Sequence, residues 1–215
     1  MIIKVLLADD HDLVRTGVRR LLEDNTDLEV IAEATTGEEA VSLCRQHQPH
    51  VVLMDINMPG MGGIETTRKL RRRHPDIQVI ALTVHGNAPF PSQLHEAGAI
   101  GYLTKGSPAE ELLDAIRTVA DGKPFICGEV SRQLTQAALS GQPIKTPFGT
   151  LSQREMQVLM MIVQGRKNQD ISDTLCLSPK TISTYRHRLY EKLAVENDVE
   201  LTFLALRHGL ADFPA

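Results

Sequence analysis

Cysteine is scarce and unpatterned in this chain of 215 residues. Cys44, Cys127 and Cys176 are odd in number, far apart, and without CxxC or histidine-paired spacing, so no structural zinc is expected and a reducing cytosol is. Long apolar runs are missing too. The opening stretch, Ile2 to Ala8, is interrupted by Lys4 and leads into Asp9 and Asp10, which makes it too short and too acidic at its end for a signal peptide. Nothing approaches membrane-spanning length; a soluble, cytoplasmic protein is expected. A glycine-rich turn is also absent after that stretch. Asp9-Asp10-His11-Asp12 stands there instead, and its charge would repel a pyrophosphate, which removes a dinucleotide-binding fold from consideration.

What the chain does have is enough apolar residue, 42%, for two small cores. Charge is divided along its length. Residues 1–122 hold 12 Lys and Arg against 18 Asp and Glu, whereas residues 148–215 hold eight of each. Between Ser178 and Leu193, Lys180, Arg186, Arg188 and Lys192 face only Glu191. A phosphate backbone feels that local charge rather than the net charge of −4.

In the first 120 residues, β-branched runs alternate five times with helical patterns. The alternation predicts a doubly wound α/β domain, a five-stranded parallel sheet with helices on both faces. Strands are expected at 2–8, 29–34, 51–55, 79–83 and 101–104, with later helices at 64–73, 91–97 and 108–121. Residues 123–147 are punctuated by Pro124, Gly128, Gly141, Pro143 and Pro147 and read as a linker, with a weak helical stretch at 130–139. Beyond it a small all-α domain, 148–215, is expected. Ser152 and Glu155 have capping-box spacing, with Leu151 and Met156 as a hydrophobic staple. Gly165 stops that first helix, and a short helix follows at 168–175. Ser178-Pro179 caps a third helix, 179–193, and a fourth runs from 198 to 208.

Function is expected at the C-terminal ends of the parallel strands, where open α/β sheets place their ligands. Those ends carry Asp9-Asp10, Asp55, Thr83 and Thr104-Lys105. Three carboxylates brought together repel unless a cation joins them, and Mg²⁺ suits an all-oxygen donor set. Mg²⁺, a hydroxyl and an ammonium can also offset charge on a transferring phosphoryl group. Asp55 is therefore the candidate nucleophile. Asp9, Asp10, Asp55 and the backbone carbonyl of Asn57 are the candidate metal ligands, Thr83 the hydroxyl donor and Lys105 the ammonium. An aspartyl phosphatase would want a second carboxylic acid near its nucleophile; Asn57, two residues on, cannot titrate, so the chain is not expected to be an enzyme.

These residues, with Met54-Asp55-Ile56-Asn57-Met58-Pro59-Gly60 and Leu82-Thr83, resemble the flavodoxin-like receiver domain of bacterial two-component response regulators. The resemblance implies phosphorylation by a sensor histidine kinase and a switch in which Thr83 moves toward the phosphoryl group while Tyr102 changes rotamer. Tyr102 is equally well read as an ordinary half-buried strand aromatic.

On the third C-terminal helix, Ile182, Tyr185, Leu189 and Leu193 share one face, and Lys180, Thr184, His187 and Arg188 the other. With the short helix before it, this is helix-turn-helix spacing. Leu151-Ser152, Arg154-Glu155, Gly165, Ile171-Ser172, Leu177 to Ile182, Tyr185, Leu189 and Lys192-Leu193 resemble the LuxR-type DNA-binding domain, so the whole chain is similar to the NarL/FixJ class. That resemblance implies Ser183, Thr184 and His187 at base edges, and Lys180, Thr181, Arg188 and Lys192 mostly at phosphates. It also implies a homodimer when active, through Val199, Leu201, Thr202 and Ala205. The stretches Gly86-Asn87-Ala88-Pro89-Phe90-Pro91, Val199-Glu200-Leu201-Thr202 and Arg207-His208-Gly209-Leu210 resemble the GacA/UvrY/SirA subgroup, which implies a hybrid-type kinase and promoters of regulatory small RNAs. Activation by domain opening and activation by dimerisation are both compatible with the sequence, whereas the intact acidic site argues against a constitutive DNA-binding protein whose receiver serves only as a dimerisation module.

Overall fold

The computed structural model describes residues 2–83, 90–128, 130–132, 147–175 and 177–207, with the backbone alone at 90–93 and 153. These form two compact units, built mainly from residues 2–132 and 147–207.

In the first unit, strands β1 (Ile3–Ala8), β2 (Leu28–Ala34), β3 (Val51–Asp55), β4 (Gln78–Thr83), β5 (Gly101–Thr104) and β6 (Phe125–Ile126) alternate with helices α1 (Asp12–Glu23), α2 (Gly37–His47), α3 (Gly62–Arg73), α4 (Phe90–Ala97) and α5 (Ala109–Ala120). All strand pairs are parallel, in the order β2-β1-β3-β4-β5-β6. Every residue of β3 is buried, as expected of a parallel strand covered on both faces. Val5, Leu7, Val51, Leu53, Ile80, Leu82 and Leu103 pack with Leu22 of α1 and with Leu112, Ala115, Ile116 and Val119 of α5. Their alternate neighbours project to the opposite face, toward α2 and α3. The chain leaves β1 in one direction for β2, then returns past it for β3 and β4, so the strand order reverses between β1 and β3. Crevices for ligands form at such a reversal.

The sheet has six strands rather than the expected five. β6 is two residues long and follows Pro124, too short to show a period-two pattern. It is held by Phe125 N–H donating to Ile100 O at 2.9 Å and Cys127 N–H donating to Tyr102 O at 3.0 Å. The start of the expected linker therefore extends the first unit, and Cys127 and Val130 join its core.

In the second unit, a 3₁₀ turn, Pro147–Thr150, leads to α6 (Gln153–Val163), α7 (Asn168–Leu175), α8 (Pro179–Leu193) and α9 (Asp198–Arg207). The capping box is formed, with Glu155 N–H donating to Ser152 Oγ at 3.3 Å and Ser152 N–H donating to Glu155 Oε2 at 2.7 Å. Gly165, at φ +75°, ends the helix in a conformation that a side chain would strain. Phe148, Leu159, Ile171, Ile182, Leu189, Leu201 and Ala205 are fully buried and form the core. Of the expected features, 86–89, 133–139, Cys176 and 208–210 lie outside the described residues.

Candidate functional site

Backbone pairing runs one step beyond the strand ends. Asp9 N–H donates to Ala34 O at 3.1 Å, Ile56 N–H to Leu82 O at 3.3 Å and Lys105 N–H to Thr83 O at 2.6 Å. This brings Asp9, Asp55, Thr83 and Lys105 to one edge of the sheet. Asp9 is 3% exposed and Asp55 fully buried. Lys105 Nζ lies 2.9 Å from Asp55 Oδ2 and 2.7 Å from Asp9 Oδ2. The other oxygen of Asp55 accepts a hydrogen bond from Asn57 N–H at 3.1 Å.

These contacts set the charge of the site. Burial raises the Asp55 carboxyl above the ordinary carboxylate range and the neighbouring Asp9 raises it further, while Lys105 and the Asn57 amide pull against them. Burial works to lower Lys105, but the Asp55 and Asp9 carboxylates outweigh it and hold the ammonium above its usual value. Asp9 Oδ2 is buried, and the Lys105 ammonium is its partner at 2.7 Å. The carboxylates of Asp9, Asp10 and Asp55 converge on this edge, an oxygen donor set whose charge one ammonium does not fully offset and which fits a hard divalent cation.

Two residues that sequence reasoning passed over belong to this edge. His11 Nδ1 lies 3.0 Å from Asp10 Oδ1 and 3.1 Å from Asp9 Oδ1. Ligand atoms of Asp9, Asp10, His11 and Asp55 all fall within 4.8 Å of one another. Arg15, one turn along α1, donates from Nη1 to Asp9 O at 2.8 Å and is itself held by Glu33 and Asp12. Their signal lay in the spacing: Arg15 sits four residues after His11, where a helix opening at Asp12 brings its side chain back over the turn. Tyr102 is 6% exposed, and its hydroxyl donates to Ala99 O at 3.1 Å; burial pushes that hydroxyl's pKa up.

In the second unit, Ser172 Oγ donates to Leu177 O at 2.6 Å and Leu177 N–H to Ser172 O at 3.0 Å. The pair fixes the turn between α7 and α8. Ile182, Leu189 and Leu193 face inward, while Lys180, Ser183, Thr184, His187 and Arg188 are exposed along one side of α8 and Thr181 is half-buried beside them. Two of the four basic residues counted on this helix are engaged within the unit. Arg186 pairs with Asp198 and donates to Asn168, and Lys192 Nζ lies 2.7 Å from Glu155 Oε2. On α9, Leu201 and Ala205 are fully buried in the unit's own core, which corrects the expectation that they face a second copy. One helical turn separates them, so they share the inward stripe, and Val199 and Phe203 are the exposed apolar side chains.

Residues 5–117 match the family model of the response regulator receiver domain, and residues 149–205 that of the bacterial regulatory proteins of the luxR family. The chain is a LuxR-type response regulator. Among its relatives, it is 51% identical to the response regulator GacA of Pseudomonas aeruginosa over 210 residues, 98% of either chain. It is 47% identical to the response regulator UvrY of Escherichia coli K12 over 210 residues, 98% of this chain and 96% of UvrY. A solved structure of RcsB from Salmonella enterica serovar Typhimurium, bound to promoter rprA with the phosphomimetic BeF3−, is 27% identical at a TM-score of 0.67, covering 95% of this chain and 98% of that one. This response regulator is thus a two-component transcription factor rather than a catalytic enzyme. No helix among its described residues is long and apolar enough to cross a membrane.

Proposed function

We propose that this response regulator takes a phosphoryl group on Asp55 from a histidine kinase of the hybrid sensor type and, so modified, binds promoter DNA through α8 to activate transcription in the cytoplasm. One observation carries the reading: Asp55 is fully buried at the strand-order reversal, beside Asp9, with the Lys105 ammonium 2.9 Å from its Oδ2. A carboxylate oxygen of Asp55 forms a bond to phosphorus as the P–N bond of the kinase phosphohistidine breaks, and the imidazole nitrogen keeps the electron pair and takes a proton. Asp9, Asp10, Asp55 and the Asn57 carbonyl are the residues that would hold Mg²⁺, which when bound neutralises charge on the phosphoryl oxygens. Lys105 pairs with a further oxygen. Thr83 supplies its hydroxyl, and Tyr102 responds from β5. The same residues assist loss of the phosphoryl group to water, an activity confined to the chain's own modification.

We divide the chain into a receiver at 1–122, a connecting segment at 123–147 whose first residues still pack on the receiver, and a DNA-binding domain at 148–215. Ser183, Thr184 and His187 read base edges, and Lys180, Thr181 and Arg188 contact phosphates. Lys192, which the family pattern places at a phosphate, is engaged by Glu155 and first serves to hold α8 on α6. The active form is a homodimer, with Val199 and Phe203 as the side chains of α9 available to a second copy. RcsB has been solved on promoter DNA, which supports the DNA-bound form.

The test is phosphoryl transfer from a labelled small phosphodonor, with Mg²⁺, to the wild type and to Asp55→Asn. Label on the wild type alone is expected. Equal labelling of both proteins, or of neither, overturns the assignment.

A further inference from the structure

Ser183 is exposed on the outward side of α8, and its hydroxyl is held from two directions. Oγ donates to Pro179 O, one helical turn back, at 3.1 Å, a bond that serine often makes inside a helix. A carbonyl carries no proton, so the hydroxyl proton lies in that contact. The second contact is particular to this fold: Asn168 Nδ2, in the first turn of α7, donates to Ser183 Oγ at 3.4 Å. Arg186 decides which end of the Asn168 amide faces Ser183. A guanidinium only donates, and Arg186 Nη1 donates to Asn168 Oδ1, which turns the amide N–H to Ser183. Arg186 is 18% exposed and paired with Asp198 of α9, so the Asn168 side chain is anchored through Arg186 to a third helix.

A serine hydroxyl has one proton and two acceptor sites. In Ser183 the proton is engaged by Pro179 O and one acceptor site by Asn168. What remains toward solvent is a single acceptor site. In the major groove adenine N6 and cytosine N4 donate, whereas guanine presents the acceptors N7 and O6 and thymine the acceptor O4. We propose that Ser183 meets DNA as a fixed acceptor and selects adenine or cytosine at the base it faces, with Asn168 as the positioning residue that sets this polarity. The proposal rests on the reading of α8 as the helix that enters the major groove with Ser183 at a base edge. Without Asn168 the hydroxyl is free to turn its proton outward to a guanine or thymine oxygen, and the choice relaxes.

The test is selection from a random DNA pool by the full chain with small phosphodonor and Mg²⁺, followed by competition among the four bases at each position of the selected site. At the position whose preference disappears in Ser183→Ala, the wild type is expected to favour adenine and cytosine over guanine and thymine by about fivefold or more, the scale of one mismatched base pair. Asn168→Ala is expected to lose about fivefold of that preference, the scale of one hydrogen bond, with the other positions unchanged. Asn168→Asp is expected to keep it, because a carboxylate accepts from both Arg186 and the Ser183 hydroxyl and leaves Oγ an acceptor toward DNA. Each preference is a ratio within one protein, so a smaller folded fraction cancels. Guanine or thymine favoured at the position that depends on Ser183 overturns the polarity and leaves the recognition-helix reading standing. A preference unchanged in Asn168→Ala, or lost in Asn168→Asp, overturns the role of Asn168. A site with no position that depends on Ser183 overturns the whole proposal, and a wild type that selects no sequence overturns the recognition-helix reading with it.

Discussion

Lys192 on α8 and Glu155 on α6 form an ion pair at 2.7 Å, and the same carboxylate closes the capping box with Ser152 N–H at 2.7 Å. Glu155 is 3% exposed. Burial pushes its carboxyl up, but hydrogen bonds from Lys192 and from Ser152 outweigh burial and hold it below its ordinary value of 4.5. A carboxyl lowered in the folded state stabilises at pH above its unfolded value and loses that contribution as pH falls through the lowered one.

Glu155→Gln is therefore expected to destabilise the second unit by about 1 kcal/mol near neutral pH, the scale of a lost helix cap. The gap to the wild type should close as the solution is acidified below 4.5. Hydrogen exchange at the amides of α6 and α8 in the full chain measures this. A gap that widens on acidification contradicts the pairing.

Arg186 and Arg188, two residues apart on α8, should separate stability from DNA binding. Arg188 is exposed, so Arg188→Ala is expected to lower the slope of log affinity against log salt by about 0.9, one phosphate contact. Arg186 is 18% exposed and paired with Asp198; Arg186→Ala is expected to cost about 1.5–3 kcal/mol of stability, as for a hydrogen bond to a charged group. Salt titrations of DNA affinity and urea unfolding of both variants decide it.

The contrast shows what a sequence could and could not reveal. Strand ends and helix starts were legible because β-branched runs, Ser152, Ser178 and Gly165 act locally. The acidic pocket was legible because parallel strands must bring their C-terminal ends to one edge. Pairings across the fold were not: nothing local says that Arg186 meets Asp198 or that Lys192 turns to Glu155 rather than outward. β6 escaped because two residues have no period, and His11 because a histidine beside two aspartates gains meaning only once Asp55 lies 3.9 Å away.

Gly63 opens on the end of β3 so closely that a Cβ there would stand 2.1 Å from Asp55 O and 2.8 Å from Ile56 Cα. Both obstacles are backbone. Gly63→Ala is expected to destabilise the receiver by about 1–3 kcal/mol or more, as overpacking does, and to slow phosphoryl transfer by displacing Asp55. Thermal unfolding and labelling rates check it, and a fully stable variant contradicts the packing.

Arg15 holds the turn that carries Asp9, Asp10 and His11 by donating to Asp9 O at 2.8 Å. Arg15→Met keeps much of the apolar stem and removes the guanidinium. Divalent affinity, read by calorimetry, is expected to weaken about 10-fold or more, as when other supports of metal ligands are removed, while Asp55 remains available for slow labelling. Unchanged affinity would show that the turn holds itself.

The central claim is that a phosphoryl group on Asp55 controls DNA binding. The direct measurement is fluorescence anisotropy of a DNA fragment selected from a random pool by the phosphorylated wild type, titrated with wild type and Asp55→Asn, each with and without phosphodonor and Mg²⁺. Converting a mostly inactive population to a mostly active one needs a bias of about 5.5 kcal/mol, so a gain of tenfold or more in affinity is expected for the wild type with donor and none for Asp55→Asn. The same affinity in all four samples, or an equal gain in both proteins, would contradict it.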